Sequence, residues 1–354
     1  MKSFHLAGNF APVADNLAFP ARITQGEGTI NSIQTGPGRA PFLFSGKYVL
    51  KKYGRALLEA FPGIKTATFG GEVWPGELYR VRRILAESGA DCLLAFGGGK
   101  VMDLAKLVKK DIPSLKLINI PTSAATCAAM TPVAVMYDND GAYKDTIDTP
   151  VADEVIIDHE IFYDLPMSFF AAGAVDALAK FYETAAAVGA AGNNGGMLDE
   201  AVLNMALSCR ERVIKTVTGG WARQDRELKR ELTWLNVVLA GLISCLGKNT
   251  ITGLMAHAVA HALTHVSGAK RFLHGEHVSL GLVIQESVFR NRKNLGEIKE
   301  MAGIMDTPVS FSGVGVKKAE IKTFFEAYNA IERREKISVY APEKLMYNKL
   351  SAFF

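Results

Sequence analysis

A chain of 354 residues is long enough for two folded domains. Its 49% hydrophobic and 21% charged residues are ordinary globular proportions, and a formal charge of +4 is too small to mark a nucleic-acid partner. Cys92, Cys127, Cys209 and Cys245 are scattered with no C-x-x-C pair, which argues against a disulfide framework or a zinc ribbon. No apolar run approaches the ~20 residues that span a bilayer, and the opening MKSFHLAGNF lacks the long apolar segment of a signal peptide. The expectation is a soluble, reduced, cytoplasmic protein with a small-molecule ligand and neither membrane nor nucleic acid as partner.

Strands are expected over 41–46, 65–69, 92–96 and 115–120, and helices over 48–60, 75–89 and 101–110. This alternation with short connections predicts parallel pairing in a doubly wound sheet. The basic residues from Lys106 to Lys110 are placed on a solvated face of the third helix. Strand-like runs follow at 133–137 and 154–157, with the turn signal Asp138-Asn139-Asp140-Gly141 between them.

After Asp158 the pattern changes to Ala- and Leu-rich helical periodicity over 168–188, 198–218, 224–246, 250–266, 276–290 and 317–333. The glycine-rich stretch 189–196 reads as a loop. A boundary near 160 therefore separates an α/β domain, residues 1–160, from an all-helical domain, residues 161–354.

Two segments have the character of a nucleotide site. Leu93 to Phe96 run into Gly97, Gly98, Gly99 and Lys100, and a helix containing Asp103 follows. Glycines let a backbone approach a ligand closely, and a helix N-terminus offers free N–H groups to a pyrophosphate. The spacing is neither G-x-G-x-x-G nor a Walker loop, so a simple tight turn is the competing reading. The stretch from Pro121 through Thr122, Ser123 and Thr126 to Cys127 also follows an apolar run, and its hydroxyls and amides would line the same crevice unless it is an ordinary polar turn.

Five of the seven histidines, His257, His261, His265, His274 and His277, fall within one short stretch. The first three are spaced i, i+4, i+8 and share a helix face. Imidazole is the commonest metal ligand near neutral pH, and a helix carrying ligands closed by one from a following loop makes a workable metal site. Asp176 lies off the apolar stripe of Phe170, Ala174, Leu178 and Phe181, among small residues that would allow close approach. Asp176 and Lys180 would equally make an exposed i,i+4 ion pair, and spacing alone leaves both readings open.

These residues together resemble the glycerol dehydrogenase branch of the iron-containing alcohol dehydrogenase superfamily. The resemblance covers nearly the whole chain: Gly97-Gly-Gly-Lys-x-x-Asp103-x-x-Lys106, Pro121-Thr122, 155–158, Gly173-x-x-Asp176-x-Leu178-Ala179-Lys180, Ala256-His257-Ala258 and His274-Gly275-Glu276. The run from Ala124 to Pro132, with Tyr182-Glu183 and Lys270-x-Phe-Leu-His274, is most similar to the hydroxycarboxylate dehydrogenase subgroup, whose members reduce 2-oxo acids. The resemblance implies a dehydroquinate synthase-like α/β dinucleotide-binding domain, an all-α C-terminal domain, a site between them, and a homo-oligomer. It implies Asp176, His257 and His274 as metal ligands, and Gly97, Gly98, Gly99 and Lys100 as the pyrophosphate loop. Asp103, Thr122, Ser123, Thr131, Val133 and Tyr137 are expected as further cofactor contacts, and His261 and Cys127 as catalytic or substrate-facing residues.

Three departures refine the implied chemistry. Lys180 stands where the iron enzymes have a fourth ligand, a histidine, which favours zinc over iron. Cys127 stands where the glycerol enzymes carry an aspartate that touches the polyol, which favours an anionic substrate. Gly46, followed by Lys47, replaces the acidic residue expected at the adenosine ribose, so NADP is acceptable beside NAD. The expected function is hydride transfer between NAD(P)(H) and a 2-hydroxy acid/2-oxo acid pair. The alternatives are glycerol dehydrogenase, a dehydroquinate synthase-like lyase, which Asp176 in place of Glu opposes, and a non-catalytic protein that retains the fold.

Overall fold

The computed structural model describes residues 17–191, 196–247, 253–335, 337 and 345–354. Within them the first part of the chain forms β1 (Arg22–Gly26), β2 (Pro41–Ser45), β3 (Lys65–Thr68), β4 (Cys92–Gly97), β5 (Lys116–Pro121), β6 (Val133–Tyr137), β7 (Tyr143–Asp148) and β8 (Glu154–Asp158). Six of these make one sheet in the order β1-β8-β5-β4-β2-β3, with every neighbouring pair parallel. The four inner strands are buried almost throughout, which is why they read as continuous apolar runs rather than alternating ones. Strand order reverses at β2, with β3 on one side and β4 on the other. Such a reversal leaves a ligand crevice beyond the carboxyl ends of the two strands. Gly46 follows β2 and Gly97–Gly99 close β4, so both face that crevice.

Several local expectations are corrected. The helix expected over 48–60 is two helices, Lys47–Tyr53 and Arg55–Ala60, divided at Gly54, a poor helix former. The 138–141 turn closes a hairpin onto β7, which the polar sequence YKDTID conceals, instead of leading to β8. Edge strand β1 was hidden for the same reason: RITQG has no apolar pattern. Lys106 and Lys109 are not on a solvated face. Lys106 is fully buried and donates to the Thr131 and Val133 carbonyls, while Lys109 donates to the Leu115 carbonyl and Asp153; only Lys110 is exposed.

Beyond Asp158 the described residues hold helices and connections only. The long helix Met167–Ala191 runs through the middle of this part and is buried on all sides from Phe170 to Lys180, as expected of a helix that other helices surround. Asp176 and Lys180 are therefore a buried pair, not an exposed one. This helix continues through residues 189–191 of the expected loop; 192–195 lie outside the described residues, as do the MKSFHLAGNF segment and the beginning of the segment expected over 250–266. The segment expected over 224–246 comprises Arg226–Thr233, a π-helical stretch Trp234–Ala240, and Gly241–Gly247. Helices His159–Tyr163 and Arg292–Met305 were not anticipated. One apolar cluster joins the sheet to this region, from Leu43, Leu94 and Ile118 through Val175 and Leu178. Among the described residues no helix is long and apolar enough to cross a membrane, and all four cysteines are free and buried.

Two glycines set how closely the helices meet. Helix His274–Val288 lies against Met167–Ala191 at Gly275 and against Met255–Leu263 at Gly281. A Cβ on Gly275 would fall 1.9 Å from the Ala172 carbonyl oxygen, and one on Gly281 would fall 2.3 Å from that of Ala256. Both obstacles are backbone, so no side chain can yield. Gly275→Val is expected to destabilise the fold by at least the ~1–3 kcal/mol typical of overpacking. Gly296→Ala, in Arg292–Met305 with no heavy atom within 4 Å of the added carbon, is expected to be neutral or stabilising by up to ~1 kcal/mol. Thermal melts of the two variants check this; equal midpoints would contradict the tight crossing.

Candidate metal and cofactor site

The three predicted ligands come from three helices. Asp176 lies in Met167–Ala191, His257 in the first turn of Met255–Leu263, and His274 at the first position of His274–Val288. One ligand atom from each lies within 4.8 Å of the other two. Asp176 Oδ1 is 3.3 Å from His257 Nε2 and 3.8 Å from His274 Nε2, and it is buried without a hydrogen-bond partner. Convergence of two ring nitrogens on an orphaned carboxylate oxygen fits a divalent cation with one coordination position left open. Lys180 Nζ, one turn after Asp176, is 3.9 Å from the same oxygen and supplies a charge in place of a fourth ligand.

The electrostatics prepare these groups. Burial alone would raise the Asp176 carboxyl, but Lys180 and the two histidines hold it well below the usual carboxylate range. Burial keeps His274 neutral, with a pKa lowered to about 3. Burial also opposes protonation of His257, but Glu183 and Asp176 outweigh it and raise the pKa to about 9. The other three histidines of the cluster lie outside this trio. His277 Nε2 donates to the Ala269 carbonyl at 3.0 Å. His261 stacks on Tyr143 at a centroid distance of 3.9 Å, and burial and the neighbouring rings keep it neutral. Its Nδ1 is buried without a partner, and its ring centroid lies 6.2 Å from that of His274. His265 is half-buried beyond it, toward Tyr143.

The glycine loop occupies the switch-point crevice. Gly98 begins the helix Gly99–Asp111, whose N-terminus carries no side-chain cap. A Cβ on Gly99 would meet Thr126 Oγ1 at 2.8 Å, so a side chain there would require Thr126 to shift. An uncapped N-terminus behind a bare backbone fits a pyrophosphate. Thr122 N–H donates to the Gly97 carbonyl, and Ser123 Oγ accepts the Ala125 N–H, which holds the second segment beside the first. Lys100 Nζ sits 2.6 Å from Glu72 and over the Tyr137 ring. Asp103 accepts the Val135 N–H and pairs with Lys106, and Lys106 reaches Thr131 and Val133. Asp103, Thr131 and Val133 thus anchor the β6–β7 hairpin to the loop helix. Cys127 is buried beside Ser244, and burial raises its thiol pKa, so it presents a neutral side chain.

Sequence reasoning did not assign Glu183, Gln285 or Tyr143. Leu254, the N-cap of the helix carrying His257, has no side-chain acceptor. Glu183 accepts the N–H groups of Leu254 and His257, and Gln285 accepts that of Ala256. The other two ligand-bearing helices therefore cap the third. The available signal was the seven-residue spacing of Asp176 and Glu183, two turns apart on one helix face.

With His257 protonated and its two partners already deprotonated, an entering cation displaces one proton. Zinc binding at pH 7 is expected to release about one proton per ion. The apparent affinity should rise about tenfold per pH unit up to the His257 pKa near 9 and then level. Calorimetry in buffers of differing ionisation enthalpy measures this; an affinity independent of pH between 7 and 9 would contradict it.

Residues 20–159 match the family model described as iron-containing alcohol dehydrogenase. An uncharacterized oxidoreductase of Synechocystis is 32% identical over 59% of this chain and 53% of its own length, so the chain spans about half of that relative. Glycerol dehydrogenase of Thermotoga maritima is 28% identical over 84% of both chains. Hydroxycarboxylate dehydrogenase A of Escherichia coli is 29% identical over 64% of this chain and 63% of its own. The solved structure of a probable glycerol dehydrogenase from Sinorhizobium meliloti superposes with a TM-score of 0.81 over 95% of this chain and 96% of that one; at 24% identity this likeness speaks for the fold alone. With its parallel sheet, helical second half and these matches, the chain is similar to the glycerol dehydrogenase branch of the iron-containing alcohol dehydrogenase superfamily.

Proposed function

We propose that this chain is a zinc-dependent dehydrogenase that moves a hydride between NAD(P)(H) and a small 2-hydroxy acid/2-oxo acid pair. In this reading residues 1–160 hold the nucleotide, and residues 161–354 hold the metal and the substrate. The observation that carries it is the three-ligand cluster of Asp176, His257 and His274 with the buried Lys180 ammonium beside it.

When bound, the metal would act as a Lewis acid toward the substrate oxygen, and the nicotinamide would exchange the hydride. Asp176, His257 and His274 would hold the metal, and the backbone at Gly97–Gly99 would hold the pyrophosphate. Lys180 and the uncharged Cys127 thiol favour a carboxylate substrate, because Cys127 adds no negative charge beyond that of Asp176 and the Lys180 ammonium offsets the latter. His261, held neutral, has Nδ1 buried without a partner to take up or return the hydroxyl proton. Gly46 leaves open space after β2, with exposed Lys47 beside it, which accommodates a 2′-phosphate as well as a bare ribose. Oxidation of glycerol to dihydroxyacetone is the second reading, supported by the relatives that carry that name.

A matrix of NADH and NADPH against 2-oxo acids and dihydroxyacetone, with and without chelator, tests the proposal. Reduction of 2-oxo acids that chelator abolishes and zinc restores is expected; activity on dihydroxyacetone alone would overturn it. Lys180→Met should raise KM for 2-oxo acids at least tenfold while changing KM for uncharged ketones little, and equal changes for both would remove Lys180 from substrate recognition.

A further inference from the structure

We infer that Glu183 is a positioning residue that decides which nitrogen of His257 is offered to the metal. This rests on the metal reading above. Glu183 is fully buried, and its two oxygens have different tasks. Oε1 accepts the backbone N–H groups of Leu254 at 2.7 Å and His257 at 3.1 Å. Oε2 lies 2.6 Å from His257 Nδ1. With Oε1 accepting two N–H groups, the geometry makes Oε2 the acceptor of the third hydrogen bond and Nδ1 its donor. The proton that an entering metal displaces is then the one on Nε2, the nitrogen that faces Asp176 at 3.3 Å, and the lone pair for ligation is left there. Because the same carboxylate is fixed by the N-terminal amides of the His257 helix, the ring is oriented relative to its own backbone. A hydrogen-bonded carboxylate behind a ligating imidazole also raises the basicity of the ligand.

The isosteric change Glu183→Gln separates this role from capping. The carboxamide oxygen must stay on the two backbone N–H groups, since an NH2 group there would oppose two donors. The NH2 group is then turned toward His257 Nδ1 and makes that nitrogen the acceptor. The hydrogen moves to Nε2, and the lone pair no longer faces the metal. The cap survives while the ligand is lost.

Equilibrium dialysis against zinc and melts of the metal-free protein test the inference. Glu183→Gln is expected to weaken zinc binding by about 10–100-fold while the metal-free protein still unfolds in a single cooperative melt. Unchanged zinc affinity would overturn the assignment. A wild-type protein that binds no zinc would overturn the metal reading beneath it instead. If the variant does not fold, ¹⁵N-histidine spectra of zinc-loaded wild type decide. The His257 Nδ1 proton must be slowly exchanging and hydrogen-bonded, with Nε2 bound to the metal; ligation through Nδ1 would sink the inference.

Discussion

Backbone-to-backbone approach of three helices is the constraint on which the site depends. Met167–Ala191, Met255–Leu263 and His274–Val288 carry one ligand each, and the third meets the other two at Gly275 and Gly281. At both crossings the helix surface is reduced to peptide groups, which lets ligand atoms from separate elements converge within 4.8 Å. Any side chain at either glycine would act against backbone, not against a movable rotamer. A candidate metal site assembled this way has its geometry fixed by packing and not by loop conformation.

Capping links the same helices electrostatically. Leu254 cannot cap the helix that it begins, so Glu183 and Gln285 reach in from the neighbours to accept its first N–H groups. A carboxylate at a helix N-terminus is favoured by the partial positive charge there. The protonation pattern of the site follows from these placements: Asp176 is held anionic by Lys180 and the histidines, His274 is held neutral by burial, and His257 is kept protonated by Glu183 and Asp176.

The sheet supplies the other half of the site through its order. Reversal at β2 puts the carboxyl ends of β2 and β4 side by side at a crevice, and the two glycine positions, Gly46 and Gly97–Gly99, fall there. The β6–β7 hairpin then spans from the loop helix, through Asp103 and Lys106, to the helical half, through the Tyr143 N–H on Thr264 and the stack of Tyr143 on His261. One short hairpin thereby ties the glycine-loop helix to the helix that carries His257 and His261.

The apolar strands and the long helices were legible in the sequence, because buried strands and helices announce themselves by periodicity; Asp176, His257 and His274 were singled out as a trio only by the family resemblance, since spacing alone left both readings of Asp176 open. Polar edge strands β1 and β7 were not, since nothing in RITQG or YKDTID marks them apart from loops. The burial of Lys106 and Lys109 was not legible either; a lysine that reaches buried carbonyls looks in sequence like one that reaches water. The sequence by itself determined the architecture and the change from sheet to helix after Asp158, and through its family resemblance it named Asp176, His257 and His274 as candidate metal ligands. Only the tertiary structure decided that Glu183 stands behind His257, that Tyr143 lies on His261, and that Lys180 is turned inward. These contacts join residues far apart in the chain, and their geometry comes from how closely helices pack, a property of pairs of elements that no single segment encodes.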